Sequence, residues 1–467
     1  METEVQGLSR RQTLGTLAAA GALAAAPPLR AQPAPPRLAS DIGTLKRVLV
    51  HSLSPDDINH DRLSSAILPN EDIDMAAGAR QHQALIGLLR QSGADVVEVR
   101  DALAAAIAAT RPSGVFEAWL RASFPRLAAD PAAVTPDKLL GRDPSVRFRL
   151  GADGAYSHLA DDSNSTIWTR DSAVMTPRGL LICRATSLRR RRENMLLRFL
   201  YRHSPLLSGY PIIFDAVEQG INVEGGDMMI VSPTKMLLGV GNRTDPRIAP
   251  ILARALDMEV VTVQTVKREF LPTDTPGDWG RNAELRILLL HLDTYFTHVA
   301  PRHGLATPYL LESAHAEDNP LSRFIRGARA DTLMKEDEAD SALTMLREFG
   351  KVTSYARGTG KIDTLGSMKL VDYLRAGGYR ITFVGGPRPS GEQDAFAHFM
   401  EVVHPELRRQ AANVVQATPG RVIAYAGNPA TKAALERDGL AVDTFEAREL
   451  WAGHGGPHCL TQPLERA

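Results

Sequence analysis

Short apolar runs alternate with amphipathic stretches along most of this chain. Leu45-Lys46-Arg47-Val48-Leu49-Val50 is followed by a helical period from Ala79 to Ser92 and a second apolar run from Asp95 to Val99. Period-two or continuous apolar segments read as strands; apolar positions three and four apart read as one face of a helix. The same order then recurs. A second unit has Thr166-Ile167-Trp168, Gly179 to Cys183, a helix near Arg192 to His203, and Pro211 to Phe214. A third has Asp227 to Val231, a turn at Ser232 to Lys235, Met236 to Val240, a helix from Ile248 to Leu256, and Glu259 to Val263. A fourth begins at Glu284 to His291 and closes with helix Leu370 to Ala376 and strand Tyr379 to Val384. A fifth has Ala412 to Gln416, Val422 to Tyr425, helix Ala430 to Asp438 and strand Leu440 to Thr444.

Five α/β units of this kind fit radial or solenoid repetition, and equally an ordinary α/β sheet with unequal insertions. Two stretches break the rhythm. Residues 100–150 are alanine-rich and helical in pattern, predicting a helical insert. Residues 305–365 are charged and lack a strand period, predicting a second insert of helix and loop.

Composition narrows the function classes. Over 467 residues, Lys+Arg and Asp+Glu both total 54, so no global charge draws the chain to nucleic acid. The basic run Arg189 to Arg192 is local. At the N-terminus, Ser9-Arg10-Arg11-Gln12-Thr13-Leu14 precedes an apolar stretch from Leu17 to Ala26, then a proline-rich segment with small residues near Ala31. This pattern predicts a twin-arginine signal peptide over 1–31, a linker over 32–40, one domain over 41–467, and a periplasmic protein. The alternatives are a cytoplasmic alanine-rich helix or an anchor, but the apolar run is shorter than the roughly 20 residues a span needs. The mature chain is expected to carry no membrane span, and a homo-oligomer is left open.

The chemistry gathers in four clusters. Only two cysteines occur. Cys183 ends an apolar run and reads as a small buried hydrophobe. Cys459 follows Gly453-His454-Gly455-Gly456-Pro457-His458, where glycines allow close backbone approach. Neither cysteine has a partner at zinc-ligand spacing. In Leu290-His291-Leu292-Asp293, strand alternation would put His291 and Asp293 on one face. Glu224-Gly225-Gly226-Asp227 sets two carboxylates around two glycines, and Thr169-Arg170-Asp171 adds a third acid. A guanidinium is a flat cation with five donors, matched by carboxylates; a thiolate is the matching nucleophile, and histidine moves the protons. The clusters therefore form a kit for guanidine chemistry, with no metal and no cofactor expected.

In this order the motifs resemble the arginine deiminase family, within the wider superfamily of guanidine-modifying enzymes. Ile42 to His51 is similar to that family's first strand; Trp168-Thr169-Arg170-Asp171 to its aromatic-Thr-Arg-Asp motif; Glu224-Gly225-Gly226-Asp227 with Arg243-Thr244 to its acid and Arg-Thr pair. His291-Leu292-Asp293-Thr294 and Gly455-Gly456-Pro457-His458-Cys459 resemble its histidine and nucleophile segments. The resemblance implies a five-bladed pseudo-symmetric α/β propeller of ββαβ-like units with a helical insert. It implies Cys459 as nucleophile, His291 as proton shuttle, Glu224 orienting His291, and Asp171 with Asp293 holding the guanidinium. Arg243 and Arg190 would bind the substrate carboxylate. The expected reaction takes arginine to citrulline and ammonia through an S-alkylthiouronium. The chain departs from the family's pattern at Asn164-Ser165, at His454 and at Leu68 to Asp72, positions that bear on substrate identity. Other guanidines, amidinotransfer, and a non-catalytic arginine-binding propeller are the rival readings.

Overall fold

In the computed structural model, hairpins lead into helices that carry the chain back to the sheet it left. The structure describes residues 37–467 apart from 56–73, 126, 143–147, 151–155, 159–165, 188–189, 268–290 and 454. The leader, the start of the linker, the fourth unit's opening run before His291, Leu68 to Asp72, Asn164-Ser165 and His454 lie outside the described residues.

Each unit is built on a mixed sheet. Ala173–Thr176 runs antiparallel to Gly179–Ile182, which runs parallel to Ile212–Asp215. Met228–Ser232, Lys235–Val240 and Glu259–Gln264 repeat that order. So do Phe296–Ala300, His303–Ala306 and Arg380–Phe383, and Val415–Thr418, Arg421–Tyr425 and Ala441–Phe445. Parallel neighbours need a crossover, supplied by helices Arg191–His203, Ile248–Ala255, Leu370–Ala376 and Pro429–Arg437. In the first unit the outer antiparallel strand is borrowed from the far end of the chain. Gln462–Arg466 pairs with Leu45–Val50, which runs parallel to Asp95–Glu98 behind helix Met75–Gln91. Among the described residues no sheet closes on itself.

Local chemistry fixes the helix starts. Asp74 accepts from Ala77 N at 2.9 Å ahead of Met75–Gln91. Asn319 and Ser322 form a reciprocal capping box before Pro320–Ala330. Residues 100–150 do contain helices, among them Val99–Thr110, Val115–Ser123 and Pro136–Leu140. They seat on the second unit, where Trp119 stacks on Phe199 with centroids 4.2 Å apart. Among the described residues no helix is long and apolar enough to cross a membrane.

Three local expectations differ from the structure. Thr166-Ile167-Trp168 is not a strand; the second unit's hairpin begins at Ala173, after a single helical turn over Thr169–Ser172. Its apolar residues pack instead around the turn that carries Cys459, with Ile167 and Trp168 in the same core cluster as Leu460. Residues Leu292–Thr294 form a 3-10 turn, so His291 and Asp293 owe their placement to that turn and not to strand alternation. Residues 305–365 hold helices Pro320–Ala330 and Glu336–Glu348, then strand Lys351–Tyr355, with Ile362–Lys369 beyond it. These strands extend the third unit's sheet to five. Most of their side chains are exposed or half-buried, so no apolar alternation marks them.

Because Gln462–Arg466 anchors the turn that carries Cys459, Leu464, fully buried on that strand, is the place to test the closure. Leu464→Ala should lower stability by about 2–5 kcal/mol in urea denaturation; a loss under about 1 kcal/mol would show that this strand contributes little.

Candidate active site

Four chain segments, around Asp171, Glu224, His291 and Cys459, bring their polar side chains to one buried place. Glu224 enters ahead of the turn Gly225–Asp227. Gly226 lies under the His291 ring: a Cβ there would stand 2.6 Å from His291 Nδ1, so only glycine admits the imidazole. His291 Nε2 lies 2.8 Å from Glu224 Oε2, and Nδ1 lies 3.5 Å from Asp171 Oδ1. Glu224 Oε1 accepts from Thr186 N at 2.8 Å. Asp227 staples two loops, accepting from Leu292 N at 2.9 Å and from the Thr244 hydroxyl at 2.7 Å. That staple fixes the turn bearing His291 and Asp293 against the loop bearing Arg243.

Cys459 is clamped by Asn413. Its N–H donates to Asn413 Oδ1 at 3.1 Å, while Asn413 Nδ2 donates to the sulfur at 3.1 Å. The thiol donates to Asp293 Oδ2 at 3.2 Å. A Cβ on Gly456 would come within 2.5 Å of Asn413, which is why glycine precedes the nucleophile. His458 also donates to Asp293 Oδ2, from Nδ1 at 2.9 Å.

Two acceptor atoms are left over. Asp171 Oδ1 and Asp293 Oδ1 are buried and have no hydrogen-bond partner. Orphaned buried carboxylate oxygens are costly, on the order of 1–3 kcal/mol or more each. With only a 3.5 Å contact from His291 Nδ1 to Asp171 Oδ1, the two atoms leave acceptor capacity that a donor-rich cation would satisfy.

The charges explain the protonation states. Burial alone would push Glu224 up, but Arg243, the hydrogen bond to His291 and Arg190 hold it well below the usual carboxylate range. Burial opposes charge on His291, yet Asp171, Glu224 and Asp227 outweigh it and raise the imidazole to about 9. At neutral pH it is an imidazolium, with protons on both nitrogens. Burial pushes Asp227 up to about 7. Burial, Asp293 and Asp171 all push the Cys459 thiol well above its ordinary value, so the resting sulfur is protonated.

Asp171, Glu224 and His291 bring one donor atom each within 4.8 Å of one another, close enough for a cation. An imidazolium offers no lone pair to a metal, and Arg190 already stands at these acids. The set suits a hydrogen-bonding organic cation better.

Every residue expected from the sequence lies here: Cys459, His291, Glu224, Asp171, Asp293, Arg243 and Arg190. Arg190 is the one in an unexpected place. Its Nη1 donates to Asp171 Oδ2 at 2.7 Å, its Nη2 to Glu193 Oε2 at 2.9 Å, and it stands 3.8 Å from Glu224. It is therefore held among these buried acids, while Arg243 keeps 22% of its side chain exposed, 3.6 Å from Glu224. Sequence reading did not single out Asn413, Arg170, His458, Thr244 or Glu193. Arg170, His458 and Thr244 sit inside quoted motifs; Asn413 lies in an apolar run that carries no sign of its role.

A family model described as arginine deiminase matches residues 132–351 and 399–466. The chain belongs to the arginine deiminase family. An arginine deiminase of Listeria monocytogenes is 25% identical over 315 residues, covering 67% of this chain and 64% of the Listeria enzyme's own length. The arginine deiminase of Metamycoplasma hominis is 24% identical over 447 residues, covering 91% of this chain and 95% of that one. Among solved structures, a Pseudomonas aeruginosa dimethylarginine dimethylaminohydrolase mutant with citrulline covers 90% of this chain and 99% of its own, at 14% identity and a TM-score of 0.44. The N-terminal domain of a cyanobacterial arginine dihydrolase, bound to product, covers 90% of this chain and 97% of its own, at 13% identity and a TM-score of 0.47.

The thiol's surroundings predict its reactivity. Iodoacetamide should label Cys459 slowly at pH 7 in the substrate-free protein, with the rate still rising above pH 9, as read by peptide mass spectrometry. A plateau below pH 8 would show that the acids beside it do not hold its proton.

Proposed function

We propose that this chain hydrolyses the guanidinium group of free arginine to citrulline and ammonia through a covalent adduct on Cys459. The observation that carries the reading is the pair of unpartnered buried oxygens, Asp171 Oδ1 and Asp293 Oδ1, beside one thiol and one imidazolium. A planar guanidinium fills both acceptors with its own N–H groups and neutralises the acids. That added positive charge lowers the thiol's pKa, and the thiol proton passes to solvent as the substrate arrives. The sulfur adds to the guanidinium carbon. His291 gives a proton to the departing nitrogen, which leaves as ammonia. The neutral imidazole then takes a proton from water, whose oxygen adds to the same carbon, and collapse returns the sulfur. Glu224, bonded to Nε2, keeps the imidazole oriented through both steps. Arg243 receives the α-carboxylate. Arg190 joins it only by surrendering Asp171, and the substrate cation is what replaces it there.

We also infer that the five units stand around one axis as a five-bladed α/β propeller, supported by the repeated sheet order and by the pairing of the last strand with the first. Export rests on Arg10-Arg11 ahead of an apolar run. Arg10→Lys with Arg11→Lys should keep the protein in the cytoplasm, followed by cell fractionation; wild-type protein found only there would refute export.

The engagement of Arg190 favours a second reading, in which the substrate is another carboxylate-bearing guanidine such as a methylated arginine. Purified protein should be offered arginine, methylated arginines and agmatine, with ureido product and ammonia assayed. Arginine should turn over, and Cys459→Ser should lower the rate by at least about 10³-fold. Brisk turnover of another guanidine with none of arginine would replace the first reading by the second.

A further inference from the structure

A line of buried polar groups runs from Asp293 beside Cys459 through His458 and Arg170 to Asp41. Arg170, 1% exposed, donates from Nη2 to His458 Nε2 at 2.9 Å. A guanidinium has donors only, so Nε2 must be the nitrogen carrying the lone pair. The single proton of neutral His458 therefore sits on Nδ1, which points at Asp293 Oδ2, 2.9 Å away. That oxygen also receives the Cys459 S–H. With Oδ2 doubly engaged, Oδ1 is the atom left to face a ligand.

Arg170 is itself held. Its N–H donates to Cys459 O at 3.2 Å, and its Nη1 stands 3.7 Å from Asp41 Oδ1. Asp41 is pinned in turn, its Oδ2 accepting from Ile230 N at 2.7 Å and its N–H donating to Ile230 O at 2.8 Å. The line thus ties Asp41, at the start of the domain, and the third unit's first strand to the turn that carries Cys459.

We propose that Arg170 locks His458 in its Nδ1–H form, and that His458 is a positioning residue which turns Asp293 so that one oxygen holds the thiol and the other faces the substrate. This rests on the guanidine reading for the identity of the substrate but not for the state of the thiol. The groups facing His458 are Arg170, Asp293 and Asp41, with His298 beyond; those facing Cys459 are Asp293, Asp171 and Asn413. Burial and Arg170 hold His458 below its ordinary value, against the pull of Asp293 and Asp41, so the lock persists through neutral pH. Simple packing of a buried imidazole would need none of this directionality.

The test uses full-length protein without substrate. Iodoacetamide labelling of Cys459 is followed against pH in wild type, His458→Asn and His458→Leu, with peptide mass spectrometry separating Cys183. His458→Leu leaves Asp293 Oδ2 bonded to the thiol alone, so the labelling midpoint should rise by about one pH unit. In His458→Asn the side-chain amide replaces the Nδ1 donor, and the midpoint should return toward wild type. With arginine as substrate, kcat/KM should fall about 100-fold in the leucine variant and recover to within about tenfold in the asparagine variant. A folded leucine variant with the wild-type midpoint would overturn the proposal. So would ¹⁵N NMR of histidine-labelled wild type, with the signal assigned by its loss in His458→Asn, if it showed an Nε2–H or doubly protonated ring at pH 7; this needs no leucine variant that folds. If arginine is not turned over at all, the function reading fails, while the labelling and tautomer results still decide the role of His458.

Discussion

The structure is organised around two buried carboxylates, Asp171 and Asp293, that meet at one site. Asp171 is matched on one side by Arg190, Asp293 by His458 and the Cys459 thiol, and each still holds one oxygen without a donor. Low polarity around them makes that deficit expensive, and the same low polarity makes a cation that relieves it bind strongly. The rest of the fold serves this arrangement. Asp227 fixes the turn carrying His291 and Asp293, and Asn413 fixes the sulfur.

Protonation follows from the same imbalance. An imidazolium raised to about 9 stands beside a thiol that burial and two acids keep protonated. A thiolate–imidazolium pair is not the resting state. In the proposed mechanism the sulfur waits for charge to come from outside, which couples its reactivity to the arrival of a positively charged ligand. This protects a buried cysteine from indiscriminate electrophiles.

Much of the framework was legible because each unit repeats a hairpin, a helix and a return strand with ordinary apolar periods. Leu45–Val50, Lys235–Val240 and Arg421–Tyr425 are continuous apolar or alternating runs, and their partners follow at fixed order. Legibility failed where a residue's polarity answered to something distant. Ile167 and Trp168 are apolar because the cysteine turn packs beside them, which mimics a strand. Lys351–Tyr355 is polar because its faces are open, which hides one. At the site, residues whose chemistry is intrinsic to the reaction stood out by type: a lone cysteine, a His-x-Asp pair, an acid flanking two glycines. Asn413 and Glu193 did not, since an amide in an apolar run and a glutamate in a basic run become meaningful only when tertiary contacts choose their partners. Arg190 was found by type, but its engagement by Asp171 and Glu193 was not legible, because only the fold brings those acids to it.

The pairing of Gln462–Arg466 with Leu45–Val50 has a temporal side. A ribosome makes these strands far apart in time, and Cys459 precedes the later one by only a few positions. Any chain halted before that strand emerges lacks both its closing ladder and the seat for its reactive atom. Seating Cys459 and completing that ladder are thus one event, which waits for the later strand to dock.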